Sequence, residues 1–377
     1  MARGMSSFTP FEMERWQSTW EHRVQINLSE SGVHPLSTRE LLALQGEEEN
    51  DSLLDLRHGY GQSNGSDGLR TRIAALYPGA DADSVVVTVG GAEANFSAVW
   101  SLLEDDRPWA VVVPTYMQVP GLVTGFGGRV IPVHLHESDR WQPDPDEVEQ
   151  AFSAGARLLL VTNPNNPTGA VLDAERRQAI VAAAERHGAW IVVDEVYTGA
   201  EIEGPMTESF HGLSDRIVAT NSLSKAYGLP GLRIGWTVSN PDLAEKIWSR
   251  TDYTTITPAT LSDALAAIAL EPAVRTRILD RTRQIIRSNR GLVDDWVASQ
   301  EGRFRFHPPS AGAIAFLRYE DEVPSRQIAE RLRVEEDVLV VPGGHFGMEG
   351  YLRVGFGIPA AEVEEGLGRI ARLFDRL

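Results

Sequence analysis

Seven short runs rich in valine, isoleucine and leucine follow one another through the middle of the chain. Several are apolar throughout instead of alternating with polar residues, which is typical of strands covered on both faces. The runs lie at 85–89, 110–113, 130–135, 158–162, 190–194, 217–220 and 234–238. Helix-like stretches separate them, so the sequence predicts an α/β fold with a largely parallel sheet.

Capping signals and a change of pattern indicate the remaining elements. Asp173 and Gly188 flank an alanine-rich stretch and predict a helix over 173–187. After about residue 272 we expect a long arginine-rich helix over 274–300, hairpin-like strands and a closing helix. The hairpin-like strands are expected near 313–317 and 338–341. We therefore expect three parts: an N-terminal segment (1–45), a large domain (46–272) and a smaller domain (273–377).

Composition limits the kinds of partner. The 377 residues carry a formal net charge of -18, which opposes binding to nucleic acid and to anionic membranes. The chain has no cysteine, so thiolate metal sites and cysteine nucleophiles are excluded, and no metal is expected. The N-terminus lacks the apolar stretch of a signal peptide, and no apolar run approaches the ~20 residues of a membrane span. We expect a cytoplasmic protein that acts on small molecules.

Lysine is rare in this chain. Only Lys225 and Lys246 occur, and Lys225 lies in the run 222–236, SLSKAYGLPGLRIGW. Arginine supplies the other basic charges, so a lysine at this position indicates a need for an amine that can lose its proton. A Schiff base with a carbonyl compound is the chemistry that best fits this need.

Other candidate residues follow strand ends, where open α/β sheets bind ligands. Asp194 ends one predicted strand, the turn 162–169 ends another, and Gly91 begins a helix after a third. Taken singly, each has a structural explanation: a helix cap, an ordinary turn, or a strand-to-helix connection. A helix N-terminus with small residues is also suited to binding an anion.

Together and in this order, the motifs resemble the fold-type I pyridoxal 5'-phosphate (PLP) enzymes of the aspartate aminotransferase superfamily. The resemblance covers nearly the whole chain. It rests on Gly91, Ala92 and Glu93, on Tyr116, on Asn166 to Gly169, on Asp194 and Tyr197, on Ser222, Ser224, Lys225 and Arg233, and on Arg353. It implies a large domain with a mostly parallel seven-stranded sheet flanked by helices, a smaller α+β domain, and an N-terminal segment over the active site.

The resemblance implies a role for each residue near the cofactor ring. Lys225 would hold PLP as a Schiff base and then move the Cα proton, with its pKa lowered by the cofactor and nearby positive groups. Asp194 would bind the protonated pyridine nitrogen. Asn166 and Tyr197 would bind the ring hydroxyl oxygen, and Tyr116 would stack on the ring.

Phosphate binding and a homodimer are also implied by the resemblance. Phosphate ligands would come from the turn that contains Gly91, Ala92 and Glu93, and from Ser222, Ser224 and Arg233. Tyr60 matches the tyrosine that reaches the phosphate of the neighbouring subunit. The segment 253–257 matches another part presented to the partner, although simple packing at the interface would explain it equally well.

Arg353 is the expected receptor for the substrate. An arginine binds a carboxylate through two parallel hydrogen bonds, so the substrate would be an L-α-amino acid. Gly32 and Val33 would lie over it, and Asn166 would contact it as well. Glu30 either attracts a cationic side chain or is an ordinary solvated glutamate.

The fate of the substrate carbanion stays open between two reaction types. We expect transamination first, with a 2-oxo acid as the acceptor. The runs 224–233 and 338–347 also resemble capreomycidine synthase and, less closely, aminocyclopropane carboxylate synthases, which indicates elimination, replacement or cyclisation in natural-product biosynthesis as the alternative. A third hypothesis is a PLP-binding sensor without catalytic activity.

Overall fold

A computed structural model describes residues 8–46, 51–103 and 107–377. Within this part of the chain there are thirteen α-helices and thirteen strands, numbered in chain order. The helices are α1 (Glu12–Trp20), α2 (Thr38–Gln45), α3 (Asp51–Leu54), α4 (Asp67–Ala74), α5 (Gly90–Leu102), α6 (Gln118–Gly125), α7 (Pro145–Ser153), α8 (Ala174–His187), α9 (Pro241–Thr251), α10 (Thr260–Ala269), α11 (Pro272–Ser299), α12 (Ser325–Glu335) and α13 (Ala360–Phe374). The strands are β1 (Ile26–Asn27), β2 (Val85–Thr88), β3 (Trp109–Val113), β4 (Val130–His134), β5 (Leu158–Thr162), β6 (Trp190–Asp194), β7 (Ile217–Ser222), β8 (Gly235–Val238), β9 (Phe304–Arg305), β10 (Ile314–Tyr319), β11 (Val338–Leu339), β12 (Val341–Pro342) and β13 (Tyr351–Gly355).

The seven apolar runs form one sheet, so the predicted α/β fold with a mostly parallel seven-stranded sheet is confirmed. The strand order is β2-β8-β7-β6-β5-β3-β4. Strand β8 runs antiparallel to both of its neighbours, β2 and β7, and the other strand pairs of this sheet are parallel. Helices cover both faces, since Leu158 and Leu160 pack with α5, α6 and α9, whereas Leu159 and Val161 pack with α7 and α8. Burial on both faces explains why these strands are apolar throughout.

Capping residues set the bounds of α8 as predicted. The Asp173 side chain accepts a hydrogen bond from the Arg176 N–H at the N-terminus. Gly188 ends the helix in the left-handed conformation, with φ of 61°, where glycine avoids the steric cost of a side chain. The long arginine-rich helix is also present as α11, from Pro272 to Ser299.

The C-terminal part contains a second sheet, but the predicted hairpin is wrong. The order of this sheet is β12-β13-β10-β9, and β10 pairs with β13 and β9. The helix α12 separates β10 from β11 in the chain, and β10 pairs instead with β9, which precedes it, and with β13, which lies farther along the chain. We keep 46–272 and 273–377 as proposed domains.

The N-terminal segment joins the C-terminal part through a short strand. Ile26 and Asn27 of β1 pair in parallel with Val338 and Leu339 of β11. The Trp16 indole N–H of α1 donates a hydrogen bond to the Val340 carbonyl oxygen at 2.9 Å. These contacts anchor the segment that crosses the functional site.

The parallel strands bring their carboxyl ends to one edge of the large sheet. Thr162, Asp194 and Thr220 are register partners on β5, β6 and β7, so the loops after these strands meet there. In the described ranges, no helix combines the length and the apolar character that crossing a membrane requires.

Candidate active site

A cavity of about 330 Å³ opens at this edge of the sheet. Most of the residues predicted for the site line it, although they come from widely separated parts of the chain. They are Glu30, Gly91, Ala92, Tyr116, Asn166, Asp194, Tyr197, Ser222, Ser224, Lys225, Arg233 and Arg353. No group of three or more histidine, aspartate or glutamate side chains in the described residues is arranged to hold a metal ion.

Asp194 ends β6 with its carboxylate buried in the cavity wall. Asn95 donates a hydrogen bond to one carboxylate oxygen at 3.0 Å, and the Val196 N–H donates to the other at 3.2 Å. The Thr220 hydroxyl donates to Asn95 Oδ1 at 2.7 Å and fixes the amide in this orientation. Burial raises the pKa of Asp194, while the bond from Asn95 opposes the rise, so the site is suited to a positively charged partner.

Asn95 lies on α5, two residues after Glu93, and the sequence analysis did not identify it. The sequence feature that could have identified Asn95 is its polar side chain in a helix that is otherwise largely apolar. Helical periodicity alone does not show that this side chain meets Asp194, which is 99 residues away in the chain.

Lys225 lies in the cavity next to Glu30. Its Nζ donates a hydrogen bond to Glu30 Oε2 at 3.2 Å. Burial alone would lower the pKa of Lys225, but Glu30 and Tyr197 outweigh it and the pKa is raised. The resemblance implied a lowered pKa for Lys225, but the groups of the protein itself raise this pKa because Glu30 lies so close. Lys225 lowers the pKa of Glu30 in return.

Arg353 of β13 is almost completely buried, with 1% of its surface exposed. One guanidinium nitrogen donates to Asn166 Oδ1 at 2.9 Å and the other donates to the Ser29 carbonyl oxygen at 2.5 Å. Its Nε is buried without a hydrogen-bond partner in the described residues. Burial lowers the pKa of Arg353, against the effect of Tyr197 and Glu30. Since an unpaired buried donor is costly, this cation is suited to binding an anionic group.

Two tyrosines form another part of the wall. The Tyr197 hydroxyl donates to Ser31 Oγ at 2.9 Å, and the Tyr116 hydroxyl donates to Glu14 Oε1 at 2.8 Å. Burial raises the pKa of both tyrosines, so both stay protonated near neutral pH. Ser31 and Glu14 also line the cavity and were not identified from the sequence.

A cradle for an anion lies at the N-terminus of α5. Gly91, Ala92, Ser222, Ser224 and Arg233 all line the cavity there. Arg233 donates to Ser224 Oγ at 3.4 Å. Gly90 has φ of 79°, a left-handed conformation that favours glycine, and the absence of a Cβ leaves room for the Arg233 guanidinium beside it. Helix N–H groups, two hydroxyls and a guanidinium are suited to a phosphate group.

Four predicted residues do not line the cavity. The Glu93 carboxylate accepts hydrogen bonds from the Val89 N–H and from the hydroxyls of two threonines, Thr254 and Thr255. Tyr60 is 88% exposed. Gly32 packs against the backbone of the Lys225 loop, where a Cβ would lie 3.3 Å from the Ser224 carbonyl oxygen, and Val33 is buried beside Gly228.

The sequence of this chain matches a known protein family. The family model for aminotransferase class I and II matches residues 23–370. The chain belongs to this family. It is therefore a PLP-dependent enzyme, and members of the aminotransferase class I and II family act on amino acid and 2-oxo acid substrates and are typically dimeric.

Individual members of the family resemble the chain over nearly its whole length. Capreomycidine synthase of Streptomyces vinaceus is 32% identical over 98% of this chain and 95% of its own. A PLP-dependent aminotransferase structure from Streptococcus suis 89-1591 has a TM-score of 0.92 at 29% identity, covering 98% of both chains. A structure of the PLP-dependent cyclase OrfR has a TM-score of 0.90 at 26% identity and covers 100% of both chains.

Proposed function

We propose that this protein is an aminotransferase that moves the amino group of an L-α-amino acid to a 2-oxo acid. The observation that carries this proposal is one cavity lined by Lys225, Asp194 and Arg353. An amine, a buried carboxylate and a buried guanidinium are the groups needed to hold an aldehyde cofactor and an amino acid together. The cofactor, PLP, follows from membership of the family.

Each part of PLP has a proposed partner in the cavity. The cradle of Gly91, Ala92, Ser222, Ser224 and Arg233 would hold the phosphate. Asp194 would bind the pyridine nitrogen, Asn166 and Tyr197 the ring hydroxyl oxygen, and Tyr116 the ring face. When bound, PLP supplies an aldehyde and an electron-withdrawing ring that stabilises negative charge at the substrate Cα.

Lys225 and Arg353 would act on the amino acid itself. Arg353 Nε has no hydrogen-bond partner in the part of the chain that the structure describes, which supports a guanidinium that would bind the α-carboxylate and fix the direction of the Cα–H bond. Lys225 would take the Cα proton on Nζ as a base. This requires a neutral amine, so Lys225 must leave its ion pair with Glu30 before the proton is transferred.

Glu93, Gly32 and Val33 would act around the cavity and not inside it, whereas Tyr60 would reach the phosphate of the neighbouring subunit. Glu93 ties the N-terminus of α5 to the segment that contains Thr254 and Thr255. Gly32 and Val33 hold the N-terminal segment against the Lys225 loop. In this way they would set the positions of the residues that bind the cofactor and substrate.

A homodimer with shared active sites belongs to this proposal. The Thr257 hydroxyl donates to the Gln62 carbonyl oxygen, and the Thr260 hydroxyl donates to the Gly59 carbonyl oxygen. The loop of Tyr60 is thereby joined to the segment 253–257, where Tyr253 and Ile256 are also exposed. An exposed aromatic and aliphatic surface of this kind supports contact with a second copy.

The expected cytoplasmic location is retained as part of the proposal.

Elimination or cyclisation is the second candidate function. It is favoured by the match of the whole chain to capreomycidine synthase and to the cyclase OrfR. Both candidate reactions begin with loss of the Cα proton, so the residues around the cofactor serve either one equally.

A substrate screen separates the two reactions. Purified protein with PLP is incubated with single amino acids, each with and without pyruvate or 2-oxoglutarate, and the products are identified by mass spectrometry. Transamination requires the 2-oxo acid and produces a new amino acid from it. Loss of a leaving group or ring closure without any 2-oxo acid would instead establish the second candidate. Bound PLP without conversion of any amino acid would contradict both and favour a sensor.

A further inference from the structure

Three carboxylates of the N-terminal segment line the same cavity as Lys225 and Arg353. Glu14 and Glu21 come from α1 and its C-terminal end, and Glu30 comes from the stretch after β1. Only Glu30 was identified from the sequence. We call Glu14, Glu21 and Glu30 the acidic wall.

The residues of α1 that line the cavity follow helical spacing. Glu14, Gln17 and Glu21 stand at positions i, i+3 and i+7, so they share one face of the helix. Gln17 is buried and donates hydrogen bonds to the carbonyl oxygen and hydroxyl of Ser29 at 2.8 and 3.2 Å. Gln17 therefore holds this face of α1 against the stretch that leads to Glu30.

A second observation shows that the cavity is built for a ligand. Arg353 is buried and its Nε has no hydrogen-bond partner in the described residues. The proposed function assigns this guanidinium to the α-carboxylate of an amino acid, and the present inference rests on that function. All three glutamates line the same cavity as Arg353, and Arg353 donates a hydrogen bond to the carbonyl oxygen of Ser29, the residue before Glu30, so a substrate held by Arg353 lies close to the acidic wall.

The charges of the cavity do not balance for a neutral or acidic substrate. In the proposed complex, Arg233 pairs with the phosphate, Arg353 with the α-carboxylate, and Asp194 with the pyridine nitrogen. Glu30 has Lys225 as its ion-pair partner at 3.2 Å and loses that partner when the amine reacts. Among the described residues, Glu14 and Glu21 form no ion pair with a lysine or arginine, and Glu21 lies 3.5 Å from the His22 imidazole, which is charged only when it is protonated. The acidic wall is then left without a permanently charged partner.

We propose that the acidic wall binds a positively charged side chain of the substrate, so that the enzyme acts on a basic α-amino acid. A side chain with a terminal guanidinium or ammonium group supplies the missing charge and donates hydrogen bonds to carboxylate oxygens. An acidic side chain would be repelled by the same groups. Specificity would then come from repulsion as well as attraction.

The test compares arginine with citrulline, which has the same length and shape but no charge. Binding to the PLP-loaded enzyme is followed by the change in cofactor absorbance, separately from turnover. We expect arginine to bind about tenfold more tightly than citrulline, corresponding to about 1.4 kcal/mol. Added salt should reduce the difference because salt screens partly exposed charges.

Variants assign the preference to the wall. Glu21→Gln is the cleanest change because it removes a charge and leaves Lys225 untouched, and Glu14→Gln and Glu30→Gln complete the set. Each should reduce the arginine-to-citrulline ratio several-fold, and Glu21→Gln should do so with little effect on citrulline. The matched control is Glu12→Gln on the same helix, since Glu12 is exposed and pairs with Arg326 outside the cavity. This control should keep the full ratio.

Three results would overturn the inference and leave the proposed function intact. The first is equal binding of arginine and citrulline by an enzyme that converts either of them. The second is tighter binding and conversion of a neutral or acidic amino acid, and the third is an arginine-to-citrulline ratio that survives all three glutamate changes. Failure of every amino acid to alter the cofactor spectrum would instead contradict the proposed function itself.

Discussion

The cavity has two halves that differ in how they are held. The cofactor half consists of Asn95, Asp194, Ser222, Ser224, Lys225 and Arg233, and these residues lie on α5, at strand ends of the seven-stranded sheet or in the loop that follows. The N-terminal half consists of Glu14, Gln17, Glu21, Glu30 and Ser31, on a helix of nine residues and the stretch after the two-residue strand β1. On the proposals above, the large sheet holds the chemistry common to the family, while the N-terminal segment, anchored on the C-terminal part through β1 and Trp16, holds what distinguishes one substrate from another.

Lys225→Ala tests the cofactor half most severely. The change removes the amine that we propose transfers the Cα proton, so turnover should fall by about 10⁴-fold, the upper range for general acid–base catalysis. Turnover is measured with a saturating substrate from the screen. Borohydride reduction followed by peptide mass spectrometry should label Lys225 in the wild-type protein with PLP.

The matched control is Lys246→Ala, which removes the only other lysine of the chain. Lys246 lies on α9 and does not line the cavity. Labelling of Lys246 in place of Lys225, or equal activity of the two variants, would contradict the assignment.

The cofactor half was largely predictable from the sequence, and the reason is physical. Parallel strands end at one edge of a sheet, so Asp194 and the Lys225 loop are brought together by the same apolar pattern that specifies the strands. The seven strands, the helix α8 and the seven-stranded fold were all confirmed. The family motifs then supplied the expected roles.

The N-terminal half was predicted only in part. Glu30 was identified because it lies in a recognisable motif. Glu14 and Glu21 lie in a polar stretch of sequence, where a glutamate is normally expected to face solvent. Their place in the cavity depends on long-range contacts, such as the bond from Trp16 to the Val340 carbonyl oxygen. The hairpin was wrong for the same reason, since β10 pairs with β13 across an intervening helix.

Arg353→Lys tests the contact between the two halves. Arg353 bonds to Asn166 in the cofactor region and to the Ser29 carbonyl oxygen in the N-terminal segment. Lysine keeps the charge but loses the planar fork, so kcat/KM should fall about 100-fold, as expected for loss of one or two charged hydrogen bonds. Most of the loss should appear in KM.

Arg305→Lys in the same C-terminal sheet is the control. Arg305 is an exposed residue whose ion pair with Glu320 is long, at 3.6 Å, so its replacement should change neither constant. A normal KM in Arg353→Lys would show that the α-carboxylate binds elsewhere.

Glu195 lies beside Asp194 at the sheet edge and tests whether a buried carboxyl there affects stability without affecting catalysis. It follows Asp194 but accepts hydrogen bonds from Ser209 and Phe210, away from the cavity. Burial raises the pKa of Glu195 to about 7. The folded protein therefore keeps a proton that the unfolded chain releases above pH 4.5, so stability should fall as the pH rises from about 4.5 to about 7.

The Glu195→Gln variant should lose this part of the pH dependence. The decrease in free energy of unfolding between pH 5 and pH 8 should be smaller by about 2–3 kcal/mol, because each tenfold change in proton affinity corresponds to about 1.36 kcal/mol. Urea unfolding at one protein concentration measures it, and substrate KM should stay unchanged. An identical pH dependence in both proteins would show that Glu195 is ionised without cost.

Asn95→Ala gives the smallest expected effect and tests how strongly the hydrogen bond from Asn95 to Asp194 contributes to PLP binding and turnover. Loss of its bond to Asp194 raises the pKa of that carboxyl further and weakens its charged form. PLP affinity and turnover should each fall about tenfold, as expected for one hydrogen bond to a charged group. Thr220→Val removes only the hydroxyl that orients Asn95, so its effect should have the same sign and be smaller. If Asn95→Ala lowered stability but left PLP affinity and turnover unchanged, Asn95 would be a packing residue and the adjustment of Asp194 would have to come from the Val196 N–H alone.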